Sequence, residues 1–236
     1  MRSCLIQLLM TVAVIFALLW FGLPFGASWL AMTALNSAGF TGTNTKVDVS
    51  ANLPPRILVG HADKIHITST QVGVGDLHAG SIDLTLGNVE FINRKIGTVS
   101  GTLTAVRVPA PSGDPITIDT ATVEGAGTAA TATLTTSSAE LAQLATAQFY
   151  AATKITSTVK LTAPNKVTVT AGGKSEPARL VVSGGAITLV PANTALPTVV
   201  LIQPGPGNPF NFTSATIGAT TVTLVGTIDI QSLLGL

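Results

Sequence analysis

The sequence predicts an α+β protein, dominated by an antiparallel sheet and preceded by an apolar N-terminal segment. Over residues 47–108 apolar side chains return at every second position: Ile65 and Ile67 alternate with polar residues, and the segment 81–86 repeats the pattern. A period of two places these side chains on one face of each strand. The opposite face carries mostly Thr, Ser and Gly. Another layer must cover the apolar face of such a sheet.

The composition gives no support for binding to nucleic acid. Only 10% of the 236 residues are charged, and the formal net charge is +1. No stripe of Lys or Arg is present that would attract a phosphate backbone, and charge alone gives no strong attraction to lipid headgroups. The 23 Gly and 13 Pro residues, with abundant Thr, Val and Ile, are typical of a chain rich in strands and turns.

The N-terminal segment, residues 1–40, is predicted to be a signal-anchor or transmembrane helix with a helical extension. Between Arg2 and Lys46 the chain has no Asp, Glu, Lys or Arg, and residues 5–23 are almost continuously apolar. As a helix this run would be about 28 Å long, close to the ~30 Å hydrocarbon thickness of a bilayer. The predicted anchor side chains are Leu5, Leu8, Leu9, Val12, Ile15, Phe16, Leu19 and Trp20.

Arg2 sets the predicted orientation of this anchor. A positive residue ahead of the apolar run stays in the cytoplasm, so the main domain is expected outside the cell membrane. Small residues at 26–28 offer a site for signal peptidase, and cleavage there would give a secreted protein instead. Cys4 is the only cysteine, so no disulfide can form within the chain.

A helix is predicted after the first group of strands. Ser137 and Glu140 form a capping box, and Leu141, Leu144 and Ala145 follow at helical spacing. We expect this helix to lie on the sheet. Strands resume beyond residue 166, with glycine turns at 172–173 and 183–185. Residues 41–46 are predicted to be a linker, and residues 47–236 a single β-rich domain.

Candidate catalytic and metal-binding residues are few. His61, Asp63 and His66 lie close together, but a zinc site needs three or four convergent ligands, and the chain has three histidines and one cysteine. Ser157 and Lys160 match the Ser-x-x-Lys pattern of acyl-serine enzymes without the partner motifs of those enzymes. We therefore predict no metal, no cofactor and no enzymatic activity.

An ordered series of short motifs resembles a known family. The motifs are LPPRILVG at 53–60, ADKIHI at 62–67, VGVG at 72–75 and SIDLTLGNV at 81–89, then SAEL at 138–141, NPFNF at 208–212 and VTLVGT at 222–227. This order resembles the LmeA family of phospholipid-binding proteins, which are exported or membrane-anchored bacterial proteins. The resemblance spans residues 47–230. Where that family often has Gly-Arg or Gly-Lys, this chain has Gly60-His61.

The resemblance implies a half barrel similar to tubular lipid-binding folds, in which a strongly curved antiparallel sheet wraps partly around a helix. It also implies a place in the bacterial cell envelope, with a phospholipid or related lipid held on the concave apolar face and the membrane as partner. Each buried acyl methylene contributes about 0.8 kcal/mol, so a chain would bind without a headgroup contact. The residues expected to face this lipid site or the adjoining core are Ile65, Ile67, Ile82, Leu84, Leu86, Leu141, Leu144, Ile187, Leu189, Val222 and Leu224.

Two other functions are compatible with the same sequence. A surface β-domain for adhesion or scaffolding would close its apolar face on itself or on a protein partner. An envelope hydrolase would need a convergent catalytic set, for which the sequence gives no support. A large cavity along the sheet would favour lipid binding, whereas a solid core would favour the β-domain.

Overall fold

The computed structural model describes residues 26, 28, 29, 31–33, 35, 36, 39–74, 77–111, 113, 115–193, 196–205 and 208–233. The described chain is β-dominated, with two antiparallel sheets, helix α1 (Ser138–Thr153) and the short helix α2 (Ile230–Leu233). The predicted α+β class with a curled half-barrel sheet is confirmed. The predicted anchor residues 5–20 lie outside the described residues. None of the helices in the described ranges has the length and apolarity needed to cross a bilayer.

The larger sheet has eight strands, in the order β1-β2-β3-β4-β5-β6-β13-β12. The alternation predicted from the sequence holds in it: Ile65 and Ile67 are buried, whereas His66 and Thr68 are partly exposed. Its strands are β1 (Phe40–Ser50), β2 (His61–Val74), β3 (Leu77–Glu90), β4 (Lys95–Val108), β5 (Ile116–Ala126), β6 (Ala129–Ser137), β12 (Asn211–Ile217) and β13 (Thr221–Ile228).

Several residues inside strands of the larger sheet have left-handed backbone conformations. Gln71 in β2 and Ala105 in β4 have positive φ angles of 51° and 49°. Gly80 in β3 lies between them, and a Cβ added there would be 3.0 Å from the Ala105 Cβ. The pairing of β2 with β3, of β3 with β4 and of β4 with β5 runs past these positions without a register shift, so none of them is a β-bulge within these pairs. The three positions lie side by side across neighbouring strands, so the regular strand geometry is interrupted along one line of the sheet.

Residues 41–46, predicted to be a linker, instead lie within β1. The strand begins with Phe40 opposite Val74 and continues through this segment. The Thr43 hydroxyl donates to the Thr70 carbonyl at 3.0 Å, so a polar segment that reads as a loop is held to β2 as a strand. Thr is a favourable residue in strands, which supports this pairing. The sheet therefore starts several residues before the predicted domain boundary.

The smaller sheet was not distinguished from the larger one by the sequence pattern. It has five strands in the order β11-β10-β9-β8-β7. The glycine pairs at 172–173 and 184–185 have positive φ angles and turn the chain between β8 and β9 and between β9 and β10, as predicted. The strands are β7 (Ser157–Thr162), β8 (Lys166–Ala171), β9 (Lys174–Ser183), β10 (Ala186–Pro191) and β11 (Val199–Ile202).

Helix α1 begins where the capping box predicts it. The Ser137 hydroxyl accepts a hydrogen bond from the Glu140 N–H at 3.1 Å. The Glu140 carboxylate accepts the Thr117 N–H of β5 at 2.8 Å, which ties the helix start to the larger sheet. The buried face of α1 then packs mainly on β7 and β11 of the smaller sheet. The larger sheet contacts α1 mainly through β5, β6 and β13, so the expectation of a sheet wrapped around a helix is met only in part.

The residues ahead of β1 are also helical, at 26, 28, 29, 31–33, 35 and 36, and we refer to them as the N-terminal helical segment. The Ser28 hydroxyl accepts the Val49 N–H at 3.2 Å. Ala31, Met32 and Leu35 are partly buried against the core. The helical extension predicted after the anchor therefore packs on the domain, next to β1.

Candidate functional site

An apolar cavity lies inside the curl of the larger sheet, and we call it the trough. Its volume is about 40 Å³, and all of its lining side chains are aliphatic or aromatic. One wall comes from β1 to β5, and the facing wall from β13, α2 and the segments that precede β1 and β12. The lining residues are Leu35, Phe40, Ile67, Val72, Val74, Leu77, Ala79, Ile82, Leu84, Leu103, Val123, Phe210, Ile228 and Ile230.

The strand register explains the part of the first wall that β2 to β5 form. Ile67 pairs with Leu84, Leu84 with Gly101 and Gly101 with Val123. Cross-strand partners point to the same face of a sheet, so the three apolar side chains form one row. Gly101 interrupts that row because it has no side chain. β3 approaches closely at this point, because a Cβ added to Gly101 would be 2.8 Å from the Leu84 Cα and 3.1 Å from the Leu84 Cδ1.

The facing wall is held by the C-terminal part of the chain. Phe210 is buried, and its N–H donates to the Asn208 side-chain oxygen at 3.3 Å. The Asn208 amide in turn donates to the Gln203 carbonyl at 2.7 Å. At the other side of this wall the Ile230 N–H donates to the Gly127 carbonyl at 3.0 Å. These bonds fix buried side chains opposite β2 and β3 and close the curl.

Three of the eleven predicted lipid-site residues border the trough: Ile67, Ile82 and Leu84. Ile65 and Leu86 are buried on the same concave face, outside the trough lining. The other six lie elsewhere in the core, in α1, β10 and β13, where they are buried between elements. These six are Leu141, Leu144, Ile187, Leu189, Val222 and Leu224.

The sequence pattern missed most of the trough lining. Leu35 belongs to the N-terminal helical segment, and Phe40 to the part of β1 predicted as helix. Phe210 and Ile230 meet the early strands only because the sheet curls. A signal for Phe210 was present, because the motif at 208–212 precedes the last hairpin. Its placement against β2 and β3 could not be read from spacing alone.

No family model, curated protein or solved structure matches this chain. A functional assignment therefore rests on the chemistry of its own residues.

The polar cluster predicted around Asp63 is present, although it differs from a metal site. The Asp63 carboxylate accepts the Asn52 N–H at 2.6 Å and contacts Arg56 Nη1 at 3.2 Å and His61 Nε2 at 3.0 Å. The second histidine of the predicted group, His66, bonds instead to Asp83 of β3 at 2.9 Å. Within the described ranges no group of three or more His, Cys, Asp or Glu residues is placed to hold a metal ion.

The environment of Asp63 favours its ionised form. The hydrogen bond from the Asn52 N–H is the largest influence and lowers the pKa of Asp63. Partial burial opposes this effect, while the bond from His61 and the charge of Arg56 add to it. A carboxylate that stabilises a loop end in this way has a structural role.

Ser157 and Lys160 do not form a catalytic pair. Both lie in β7, where the Ser157 side chain is buried and the Lys160 side chain is exposed. Positions three apart in a strand face opposite sides of the sheet, so the two groups cannot converge. The pattern is a coincidence of sequence.

A shallow polar depression of about 410 Å³ lies on the convex face of the larger sheet. Thr102, Thr122 and Thr133 stand side by side there on β4, β5 and β6. Glu124 is the only charged residue in its lining. Ser100, Glu124 and Thr131 lie side by side on this surface and are all exposed, so the enclosed trough is the stronger candidate for a binding site.

Proposed function

We propose that the protein binds the acyl chain of a phospholipid, or of a related envelope lipid, in the trough. The supporting observation is the lining, because only aliphatic and aromatic side chains border the trough from Leu35 to Ile230. A polar ligand would lose its hydrogen bonds to water there without replacing them. An acyl chain loses none and gains about 0.8 kcal/mol for each methylene that it buries.

The volume of the trough sets a condition on this binding. Sites for small molecules usually measure roughly 300–1,000 Å³, and the trough measures about 40 Å³. Lipid therefore has to widen it. The N-terminal helical segment is the part of the lining that moves most easily, because Leu35 is only partly buried whereas Phe210 and Ile228 are buried. We propose that this segment is a cover that the acyl chain displaces.

We propose that the chain acts at the bacterial cell envelope and outside the membrane. The supporting features are Arg2, the apolar run at 5–23 and the lack of charge up to Lys46. The run serves as an anchor if it is retained, and cleavage near 26–28 releases the protein. The order of motifs that resembles the LmeA family supports the same setting and the same class of ligand.

We propose that the activity is binding and not catalysis. Ser157 and Lys160 lie on opposite faces of β7, and His61 and His66 each pair with a separate carboxylate. A second candidate function is a surface β-domain for adhesion or scaffolding. The observation that favours it is the small volume of the trough, which approaches a closed core.

Photo-crosslinking tests the proposal on the full chain. The protein is extracted with its surrounding lipid by a styrene–maleic acid copolymer, supplied with phosphatidylcholine that carries a diazirine on its acyl chain, and irradiated. We expect mass spectrometry to find cross-links on peptides of β2 and β3 that contain Ile67 and Leu84. Cross-links confined to the run at 5–23 would contradict binding in the trough and favour the adhesion or scaffolding alternative.

A pair of variants makes this test specific. Ala79 borders the trough, so Ala79→Phe places a ring in it, and we expect fewer cross-links to β2 and β3. Ala129 is exposed at the start of β6, so Ala129→Phe introduces the same ring away from the trough and should leave them unchanged. Equal labelling of the two variants would contradict the proposal. Circular dichroism of both establishes that the fold is retained.

A further inference from the structure

Five exposed apolar side chains cluster at one end of the larger sheet, and we call them the apolar tip. They are Leu53, Leu58, Val59, Phe91 and Ile92, and they make up five of the nine large apolar side chains that are exposed among the described residues. Ile92 is 76% exposed and Val59 is 68% exposed. Scattered exposed apolar residues are ordinary in soluble proteins, but a contiguous group marks an interaction surface.

Backbone contacts hold the apolar tip together from two segments. A 3-10 helix, Pro54–Val59, supplies Leu58 and Val59, and the turn between β3 and β4 supplies Phe91 and Ile92. The Phe91 N–H donates to the Gly60 carbonyl at 2.8 Å, which joins the two segments. The apolar side chains are therefore presented by a braced structure, from which they cannot easily fold back onto the core.

Basic side chains surround the apolar tip. Arg56, Lys64, Arg94 and Lys95 are exposed, and they account for four of the 12 Lys and Arg residues in the chain. Arg56 contacts Asp63 at 3.2 Å. Within the ranges that the structure describes, Lys64, Arg94 and Lys95 make no ion pair. Two carboxylates, Asp63 and Glu90, also lie at this end, and Glu90 is the cross-strand partner of Lys95. The four cations outnumber them, and this excess of positive charge beside exposed hydrocarbon matches a surface that is apolar inside and anionic at its rim.

The chain also reaches the domain at this end. The predicted membrane-spanning run ends at residue 23, five residues before Ser28. The Ser28 hydroxyl accepts the N–H of Val49, which lies near the end of β1 that leads to the apolar tip. The opposite end of β1, at Phe40, lines the trough. Ser28, five residues after that run, is therefore attached to the domain on the side of the tip.

We propose that the apolar tip is a membrane-docking surface, which inserts its apolar side chains at the interface of a bilayer with anionic headgroups. Insertion buries hydrocarbon in the acyl boundary, and Lys64, Arg94 and Lys95 meet the headgroups. The tip orients the domain on the bilayer whether or not the trough holds a lipid. This proposal is therefore independent of acyl-chain binding.

A fluorescent probe at the tip tests the docking. In the full chain Cys4→Ser leaves no cysteine, and Ile92→Cys is labelled with an environment-sensitive nitrobenzoxadiazole probe. Ile155→Cys, at an exposed position after α1, is the matched control. Each protein is reconstituted into vesicles of phosphatidylcholine with phosphatidylglycerol. We expect blue-shifted emission and quenching by nitroxide-labelled lipid at position 92, with neither at position 155.

Charge variants and salt test the anionic requirement. Arg94→Gln and Lys95→Gln should each lower the ratio of docked to undocked protein by about fivefold. Lys166→Gln and Lys174→Gln, on the exposed surface of the smaller sheet, should leave it unchanged. Docking should also weaken in about 1 M salt, where the Debye length is about 3 Å. A probe at position 92 that remains as exposed to water as the probe at 155 overturns the proposal, and equal effects of the two variant pairs overturn the role of the basic rim.

Discussion

Ile92 lies directly over Gly60, so close that a Cβ added to Gly60 would stand 2.7 Å from the Ile92 Cγ1. Gly60 ends the 3-10 helix with φ +78°, a conformation that side chains other than glycine rarely adopt. Gly60 thus ends the helix and also leaves the space in which Ile92, the most exposed side chain of the apolar tip, packs.

Gly60→Ala is expected to lower the free energy of unfolding by about 1–2 kcal/mol through its left-handed backbone, with a further loss because Ile92 must move. Gly39→Ala is the matched control, since Gly39 has φ +82° and no heavy atom within 4 Å of the added Cβ. Urea denaturation measures both. In a protein that also carries Ile92→Ala, Gly60→Ala should lower the free energy of unfolding only as much as the control substitution does. An unchanged loss would show that the contact between the new Cβ and Ile92 does not affect stability.

Two variants of Glu140 test the tie between α1 and the larger sheet. Glu140→Ala leaves the partly buried Thr117 N–H without its acceptor and should lower the free energy of unfolding by about 1–3 kcal/mol. Glu140→Gln keeps an acceptor oxygen at the same place, so it should lower the free energy of unfolding clearly less than Glu140→Ala does. Thermal unfolding of the two variants compares them directly, and equal losses would mean that the hydrogen bond is unimportant.

Asp63 makes stability depend on pH. Because its pKa is lowered in the folded protein, the stability that it contributes is present above its unfolded pKa of about 3.9 and is lost as the pH falls through the folded value. Asp63→Asn removes this contribution. The variant should therefore show a shallower fall in the free energy of unfolding between neutral and strongly acidic pH. Parallel curves for the two proteins would contradict a lowered pKa at this residue.

A cavity variant tests the role of β13 in the core. Leu224 was predicted as a lipid-site residue, but it is fully buried away from the trough lining. Leu224→Ala should lower the free energy of unfolding by about 2–5 kcal/mol. Val200→Ala, at a residue of β11 that is 36% exposed, should cost much less. Denaturant midpoints give both values, and a small effect at Leu224 would indicate a loosely packed core.

Local patterns predicted much of the fold because the forces involved are local. Alternation at Ile65 and Ile67 identifies the buried face of β2, and Ser137 with Glu140 identifies the start of α1. The polar Thr-rich segment at 41–46 was misassigned because its pairing with β2 depends on residues more than 20 positions away. The later strands form a second sheet because of the partners with which they pair. The alternation of apolar and polar residues identifies the strands but does not identify those partners.

The candidate site was less predictable than the fold. Ile67 and Leu84 were identified because they alternate within long strands. Leu35 and Phe210 line the same trough from opposite ends of the sequence, and only the curl of the sheet brings them together. The spacing of apolar residues does not predict that curl, and it does not predict the positive φ angle of Gln71 in β2 either.

The order of strands has a consequence for folding. β1 to β6 pair in chain order, but the other neighbour of β6 is β13, where Thr221 pairs with Ser137 across 84 residues of chain. Pairings so distant in sequence form slowly, so we expect the six-stranded meander to assemble first and the β12–β13 hairpin to dock last. That hairpin carries Ile228, and Phe210 directly precedes it. During synthesis the concave face therefore stays open until the final strands arrive, and a nascent chain needs protection from aggregation for that interval.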